Sequence, residues 1–213
     1  MNQGTIQILF SLLRSAINGE RLSEQEKSLF SAEQINDLYK ISEKHDVQHL
    51  LVYALKQNGL LPDVNKNLEK TIIKAVYRYE RQNYEYERLC LALESANIPF
   101  IPLKGSIIRK YYLEPWMRTS CDIDVLIHLE DLEKAIRYLT EKMEYVEKER
   151  ATHDVSLYSP SGIHIELHFD LVEEGRANKA IDVLRTVWQD AKLREQSQFC
   201  YEMSDEFFYF YHI

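Results

Sequence analysis

RTSCDIDVLI, residues 118–127, sets two aspartates, Asp122 and Asp124, inside an otherwise apolar run. Ile123, Val125, Leu126 and Ile127 have the composition of a buried strand. Such a strand does not take up two negative charges unless something offsets them. Side chains alternate faces along a strand, so the two aspartates point the same way, roughly 6.6 Å apart along the backbone. Two carboxylates at ~5 Å repel by about 3 kcal/mol at an effective dielectric of about 20. Either one of them carries a proton or cations sit between them.

A second strand uses the same device. IHIELHFDL, residues 163–171, alternates strictly: Ile163, Ile165, Leu167 and Phe169 fall on one face, and His164, Glu166, His168 and Asp170 on the other. If this strand neighbours DIDVLI, Glu166 joins Asp122 and Asp124. Three converging carboxylates form a hard-oxygen site suited to Mg²⁺, which keeps waters and takes substrate phosphates as further ligands. His164 and His168 flank Glu166, but HxExH on a strand is not the helical HExxH of a zinc site. A supporting or solvent-facing role is expected for them. Upstream, Gly105-Ser106 opens a helical stretch, where free N–H groups and the helix dipole favour an anion. Lys104, Arg109, Lys110 and Arg118 lie close in sequence and add positive charge.

Around these motifs the chain changes character at Pro99. Before it, the pattern is helical. Ser23-Glu-Gln-Glu26 and Ser31-Ala-Glu-Gln34 fit the capping box, and Asn18-Gly19 and Asn58-Gly59 fit helix stops. A long helix is expected from Asn65 to about Asn97, with a packing seam through Leu68, Ile72, Val76, Tyr79, Tyr86, Cys90 and Leu93 laid antiparallel on the earlier helices. The tyrosines of YRYERQNYEYER (77–88) belong to that packing and not to base stacking. After Pro99, PFIPL reads as an entering or edge strand, followed by a short helix stopped by Pro115, the strand DIDVLI and a helix over Glu130–Met143. Strands are expected at 145–150 and 154–158, then IHIELHFDL, then a helix over 176–193. Ser204 caps a last helix, DEFFYFYHI, which stops at Ile213 without an exit signal. Aromatics so placed are costly to expose, which predicts a fragment of a longer chain. The fold class is α+β: a helical N-terminal region (1–97), a small mixed-sheet α/β core with flanking helices (98–195), and the start of a C-terminal helical region (196–213).

The net charge of −8 over 213 residues argues against broad nucleic-acid binding, which needs a basic face. The hydrophobic share of 45% and charged share of 28% are those of a globular chain, and no apolar run is long enough to span a membrane. The N-terminus has neither the basic segment nor the cleavage site of a signal peptide. Three cysteines without a CxxC pair suggest neither a disulfide framework nor a zinc site, and point to the reducing cytoplasm. Cys121 is expected to pack in the core.

Taken together, LKGS (103–106), RTSCDIDVLI and IHIELHF resemble the nucleotidyltransferase superfamily that includes DNA polymerase β and the aminoglycoside nucleotidyltransferases. The resemblance is closest to a branch of largely uncharacterised bacterial nucleotidyltransferases carrying LKG, R-x-x-x-D-[IL]-D and a later E-L-H. It implies that Gly105 and Ser106 hold the triphosphate, with Lys104 beside them, and that Asp122 and Asp124 bind two Mg²⁺ ions. Glu166 would bind the catalytic ion and help activate an acceptor hydroxyl, and Arg118 would touch phosphate. The implied activity is Mg²⁺-dependent transfer of NMP from an NTP, with ATP the default, to an acceptor the residues do not identify. Two other readings stay open: a catalytically idle nucleotide-binding or antitoxin-like module, and a metal-dependent phosphohydrolase. The branch usually continues into further helices, which agrees with the fragment expectation.

Overall fold

The computed structural model describes residues 3–61, 66–172 and 181–211. The chain folds as two compact units, one of Met1–Glu80 with Ile108–Thr119, the other of Arg81–Ile107 with Ser120–Ile213.

The first unit is helical. It contains α1 (Gln3–Asn18), α2 (Glu24–Ser28), α3 (Ile35–Lys44), α4 (Gln48–Gln57) and the first half of α5 (Lys66–Ser95). Local chemistry sets the boundaries. Gly19 follows α1 and Gly59 follows α4, both at positive φ, the left-handed conformation that glycine adopts at least cost. Ser23 and Glu26 form the expected capping box at α2. At Ser31, the Gln34 side chain accepts from the Ser31 N–H, and the Ser31 hydroxyl accepts from the Glu33 N–H; a 3₁₀ turn precedes α3. Ile8, Leu12, Leu38, Leu51, Leu55 and Met117 make the core of this unit. Met117 arrives with residues 108–119, which carry two 3₁₀ turns.

The second unit takes the other half of α5, then β1 (Phe100–Pro102), α6 (Lys104–Ile108, all but its last residue), β2 (Asp122–Ile127), α7 (Leu132–Met143), β3 (Val146–Arg150), β4 (Asp154–Tyr158) and β5 (His164–His168). The sheet order is β1-β2-β5-β4-β3. β2 and β5 run parallel, and every other neighbouring pair is antiparallel. β1 lies at the edge of the sheet, where Pro102, which lacks a backbone donor, is tolerated. The two faces of β2 part company. Ile123, Val125 and Ile127 enter a core shared with Leu89 and Leu93 of α5 and Leu132, Ala135, Ile136 and Leu139 of α7. Leu126, on the opposite face, packs with Ile101, Leu103, Val187 and Phe207. No described helix is long and apolar enough to cross a membrane.

Four expectations need correcting. In α5 the buried stripe runs through Leu68, Ala75, Gln82, Glu85, Leu89, Ala92 and Leu93. The expected seam holds at Leu68 and Leu93, with Tyr86 and Cys90 partly buried against the core, but between its ends burial falls on Ala75, Gln82, Glu85 and Leu89 instead. Two buried polar residues, Gln82 and Glu85, hide it from an apolar-periodicity reading. The C-terminal half of the helix packs on the sheet core. The short helix after PFIPL gives way to a 3₁₀ turn after five residues. In place of one helix to residue 193 there are α8 (Ile181–Leu184), α9 (Val187–Asp190) and the strand β6 (Lys192–Leu193), which pairs with β7 (Tyr201–Glu202). Cys121 is exposed, because it precedes the first paired residue of β2 and so lies outside the alternation. The last helix, α10 (Asp205–Tyr211), starts at the Ser204 cap, whose hydroxyl accepts from the Phe207 N–H at 3.1 Å. Residue 65 of the expected long helix, residues 176–180 of the expected later helix, and residues 212–213 lie outside the described residues.

Candidate active site

Strand pairing brings the acidic motifs together. In the parallel β2–β5 pair, Asp124 is the register partner of Glu166 and Asp122 that of His164. Because the register is even, every polar residue of β5 comes to the same face as the two aspartates. Two overlapping groups result, Asp122–His164–Glu166 and Asp124–Glu166–His168, each with its ligand-type atoms within 4.8 Å of one another. Glu166 belongs to both.

Asp124 is the buried centre, at 1% exposure. Lys104 Nζ donates to its Oδ1 at 2.8 Å, and His168 Nε2 lies 3.1 Å from the same oxygen. Burial works against the charge of Asp124, but these hydrogen bonds, first His168 and then Lys104, hold its carboxyl down to about 2. His168 also reaches Glu166 Oε2 at 3.2 Å. Burial would lower the imidazole pKa, but its bonds to Asp124 and Glu166 prevail and raise it. Lys104 behaves likewise. Burial opposes its charge, yet the bond to Asp124, with the charges of Asp124, Tyr211 and Glu166, shifts its pKa upward.

Asp122 is held separately. The Ser120 hydroxyl lies 2.9 Å from Asp122 Oδ1 and 3.0 Å from its carbonyl oxygen. Gly105 sits directly against that serine, and a Cβ there would stand 2.8 Å from Ser120 Oγ. The glycine of LKGS is therefore needed for close approach, independently of any phosphate. Ser106 is partly buried in α6, with its N–H donating to the Leu103 carbonyl at 3.3 Å.

Lys104, Gly105, Asp122, Asp124 and Glu166 thus share the sheet-bearing unit. Arg118 belongs to the helical unit, where it ends the 3₁₀ turn Pro115–Met117 and donates to the Thr119 carbonyl. Arg109 and Lys110 are in that unit too. Arg109 is buried, its guanidinium 5.5 Å from the centre of the Tyr79 ring, and Lys110 lies over Tyr111. The residues that sequence reasoning undervalues are His168 and Ser120. Alternation already puts His168 on the Glu166 face, but only the register shows that it bridges Glu166 and Asp124.

The donor set suits a hard divalent cation. Carboxylate oxygens dominate both groups, they come from adjacent strands, and Asp124 is ionised at neutral pH. A single imidazole in each group is compatible with Mg²⁺ or Mn²⁺ chemistry and falls short of a zinc set.

Residues 31–213 match the model of a protein family described as uncharacterised nucleotidyltransferase. No curated protein and no solved structure matches the chain.

Proposed function

The chain belongs to the uncharacterised nucleotidyltransferase family, and from that premise we propose that it moves a nucleoside monophosphate from an NTP, ATP in the first instance, to a hydroxyl acceptor, with Mg²⁺ as its metal. The observation that carries this reading is the parallel register that sets Glu166 beside Asp124, with Asp122 on the same strand face.

Asp122, Asp124 and Glu166 are assigned to the metal, and Lys104, Gly105 and Ser106 to the triphosphate. Bound there, the metal supplies charge neutralisation at the attacking and leaving oxygens. The rest is positioning. Asp124 enters the reaction already ionised and oriented by His168 and Lys104. Ser120 fixes the rotamer of Asp122. Glu166, whose side chain is 23% exposed, orients the acceptor hydroxyl and takes its proton. The hydroxyl oxygen forms its bond to the α-phosphorus as the bond to pyrophosphate breaks in line. A cytoplasmic setting suits the three free thiols.

The test is thermal stability with each of the four common NTPs, with and without Mg²⁺, on the wild type and Asp124→Asn, followed by a pyrophosphate-release assay. Ligand at ~100 Kd adds about 2.7 kcal/mol, a shift of a few degrees in a chain of this size. A shift that needs both Mg²⁺ and Asp124 supports the reading, and no shift with any NTP overturns it.

One observation favours a second reading: Lys104 and His168 already offset the charge of Asp124. A nucleotide-dependent shift without pyrophosphate release would mark an idle binding module, and release of inorganic phosphate alone would mark a phosphohydrolase.

A further inference from the structure

Lys104 stands where a cation would reach the buried carboxylate. Its ammonium is 2.8 Å from Asp124 Oδ1 and 3.8 Å from Glu166 Oε2, so it neutralises two of the three carboxylates assigned to the metal. Asp124 has almost no other access to solvent, and its second neighbour at Oδ1 is the equally buried His168.

The backbone holds Lys104 to this position. The N–H of Leu103 donates to the Asp124 carbonyl at 2.9 Å, which pins the chain to β2 one residue before the lysine. Lys104 itself takes φ +40°, a left-handed conformation that a lysine adopts at a cost. The turn delivers the side chain back onto the carboxylates. Its side chain nonetheless keeps 41% of its surface exposed, so it has a path into solvent that Asp124 lacks.

Resting on the metal–nucleotide reading above, we propose that Lys104 is the resident counter-ion of this site and competes with the metal for Asp124 and Glu166. An ammonium and a divalent cation on the same buried Asp124 oxygens repel, because that carboxylate is shielded from water even though Lys104 itself is not. Metal alone therefore binds poorly. A triphosphate changes the balance on both sides: its oxygens complete the coordination of the metal and offer the displaced ammonium a new anion. Lys104 thereby couples the two ligands, and the coupling is reciprocal, so the metal also tightens nucleotide binding. The lysine acts as a positioning and gating residue, ensuring that metal and nucleotide are taken up together.

The test is Mn²⁺ binding to the whole chain, read as free Mn²⁺ by electron paramagnetic resonance, with and without α,β-methylene-ATP, the Mn²⁺ chelated by the analogue alone being measured without protein and subtracted. Wild type, Lys104→Met, Lys104→Arg and Asp124→Asn are compared, each checked for a cooperative melt, with Lys104→Gln in reserve should the methionine variant fail to fold. Without nucleotide, Lys104→Met is expected to bind Mn²⁺ about tenfold or more tightly than wild type, and Lys104→Arg to behave as wild type. The nucleotide analogue should tighten Mn²⁺ binding about tenfold in wild type and far less in Lys104→Met. Equal or weaker Mn²⁺ binding by Lys104→Met and Lys104→Gln overturns the competition while leaving the metal reading intact. Failure of every variant to bind Mn²⁺, even with nucleotide, overturns the metal reading and this inference with it.

Discussion

Asp124 and Glu166 are register partners across the parallel pair β2–β5, and His168 Nε2 bridges them at 3.1 and 3.2 Å. A parallel pair inside an otherwise antiparallel sheet is the feature that makes the site. It brings together two motifs far apart in sequence, and it matches their alternation so that all acidic side chains share one face. A register slip of one residue would send Glu166 into the core beneath.

Asp124→Asn is expected to abolish nucleotidyl transfer, with less than about a tenth of wild-type turnover left in a pyrophosphate-release assay. On sequence alone this change relieves like-charge repulsion and leaves the fold untouched. The structure alters the second half of that expectation. Lys104 and His168 both lean on Asp124, so removing its charge takes the ammonium's nearest anion away and weakens the hydrogen bond to the imidazole. The variant should stay folded but lose on the order of 2 kcal/mol in urea denaturation. Equal stability would mean that the ion pair is not formed in solution.

The same contacts predict how stability follows pH when no metal is added. The Asp124 pKa is lowered from 3.8 to about 2 on folding, so its contribution is full above 3.8 and lost as pH falls through about 2. The His168 pKa is raised from 6.5, so its contribution is full below 6.5 and lost as pH rises through the folded value. Stability should therefore decline on the alkaline side of 6.5, and His168→Gln should remove that decline while keeping the acid limb. Denaturant midpoints at a series of pH values for both proteins check this, and a parallel alkaline decline in the variant would remove His168 as its source.

The strands and the acidic motifs can be read from the sequence because their alternation is a local property. DIDVLI and IHIELHF each declare a polar and an apolar face with no knowledge of the partner. What depends on partners cannot be read. Nothing in the chain announces that Lys104 turns back onto Asp124, or that Ser120 holds Asp122. Glu85 is the hardest case: a glutamate on a charged helix reads as solvated surface, and only the packed fold shows it wholly buried. Cys121 goes the other way, an apolar-type residue left outside by the start of the strand.

Gly105 gives a sharper test of close approach. An alanine Cβ would press on Ser120 Oγ at 2.8 Å and on its Cβ at 3.2 Å. Overpacking of this kind costs about 1–3 kcal/mol, and here it also displaces the hydroxyl that holds Asp122. Gly105→Ala should therefore lose both stability and turnover. Adding Ser120→Ala should recover part of the stability by removing the nearest atom, but not the turnover, because Asp122 still lacks its donor. Recovery of both would mean that Ser120 does not orient Asp122.

The last prediction concerns Glu85, buried beneath the sheet in the second half of α5. Its two carboxylate oxygens divide the work: Oε1 accepts from the Tyr145 hydroxyl at 2.5 Å and Oε2 from the Ser161 hydroxyl at 2.8 Å. Arg88 Nη1 lies 3.5 Å from Oε1 and offsets the charge. One side chain thus ties the helix to the residue preceding β3 and to the turn between β4 and β5. Burial, followed by the bond to Glu85, pushes the Tyr145 pKa upward, so the phenol stays protonated and remains the donor. Glu85→Ala leaves the buried Tyr145 hydroxyl without its acceptor, while Ser161 keeps its bond to Ser159 and Arg88 keeps access to solvent, and should cost about 1–3 kcal/mol, the range for stranding a buried hydrogen-bonding group. Tyr145→Phe removes only a donor and should cost about 1–3 kcal/mol. The double variant should fall short of the sum, because in Glu85→Ala the tyrosine hydroxyl has already lost its acceptor, and urea denaturation of all four proteins measures that coupling. Simple additivity would show that Glu85 and Tyr145 do not interact, and the helix would then be held to the sheet by its apolar contacts alone.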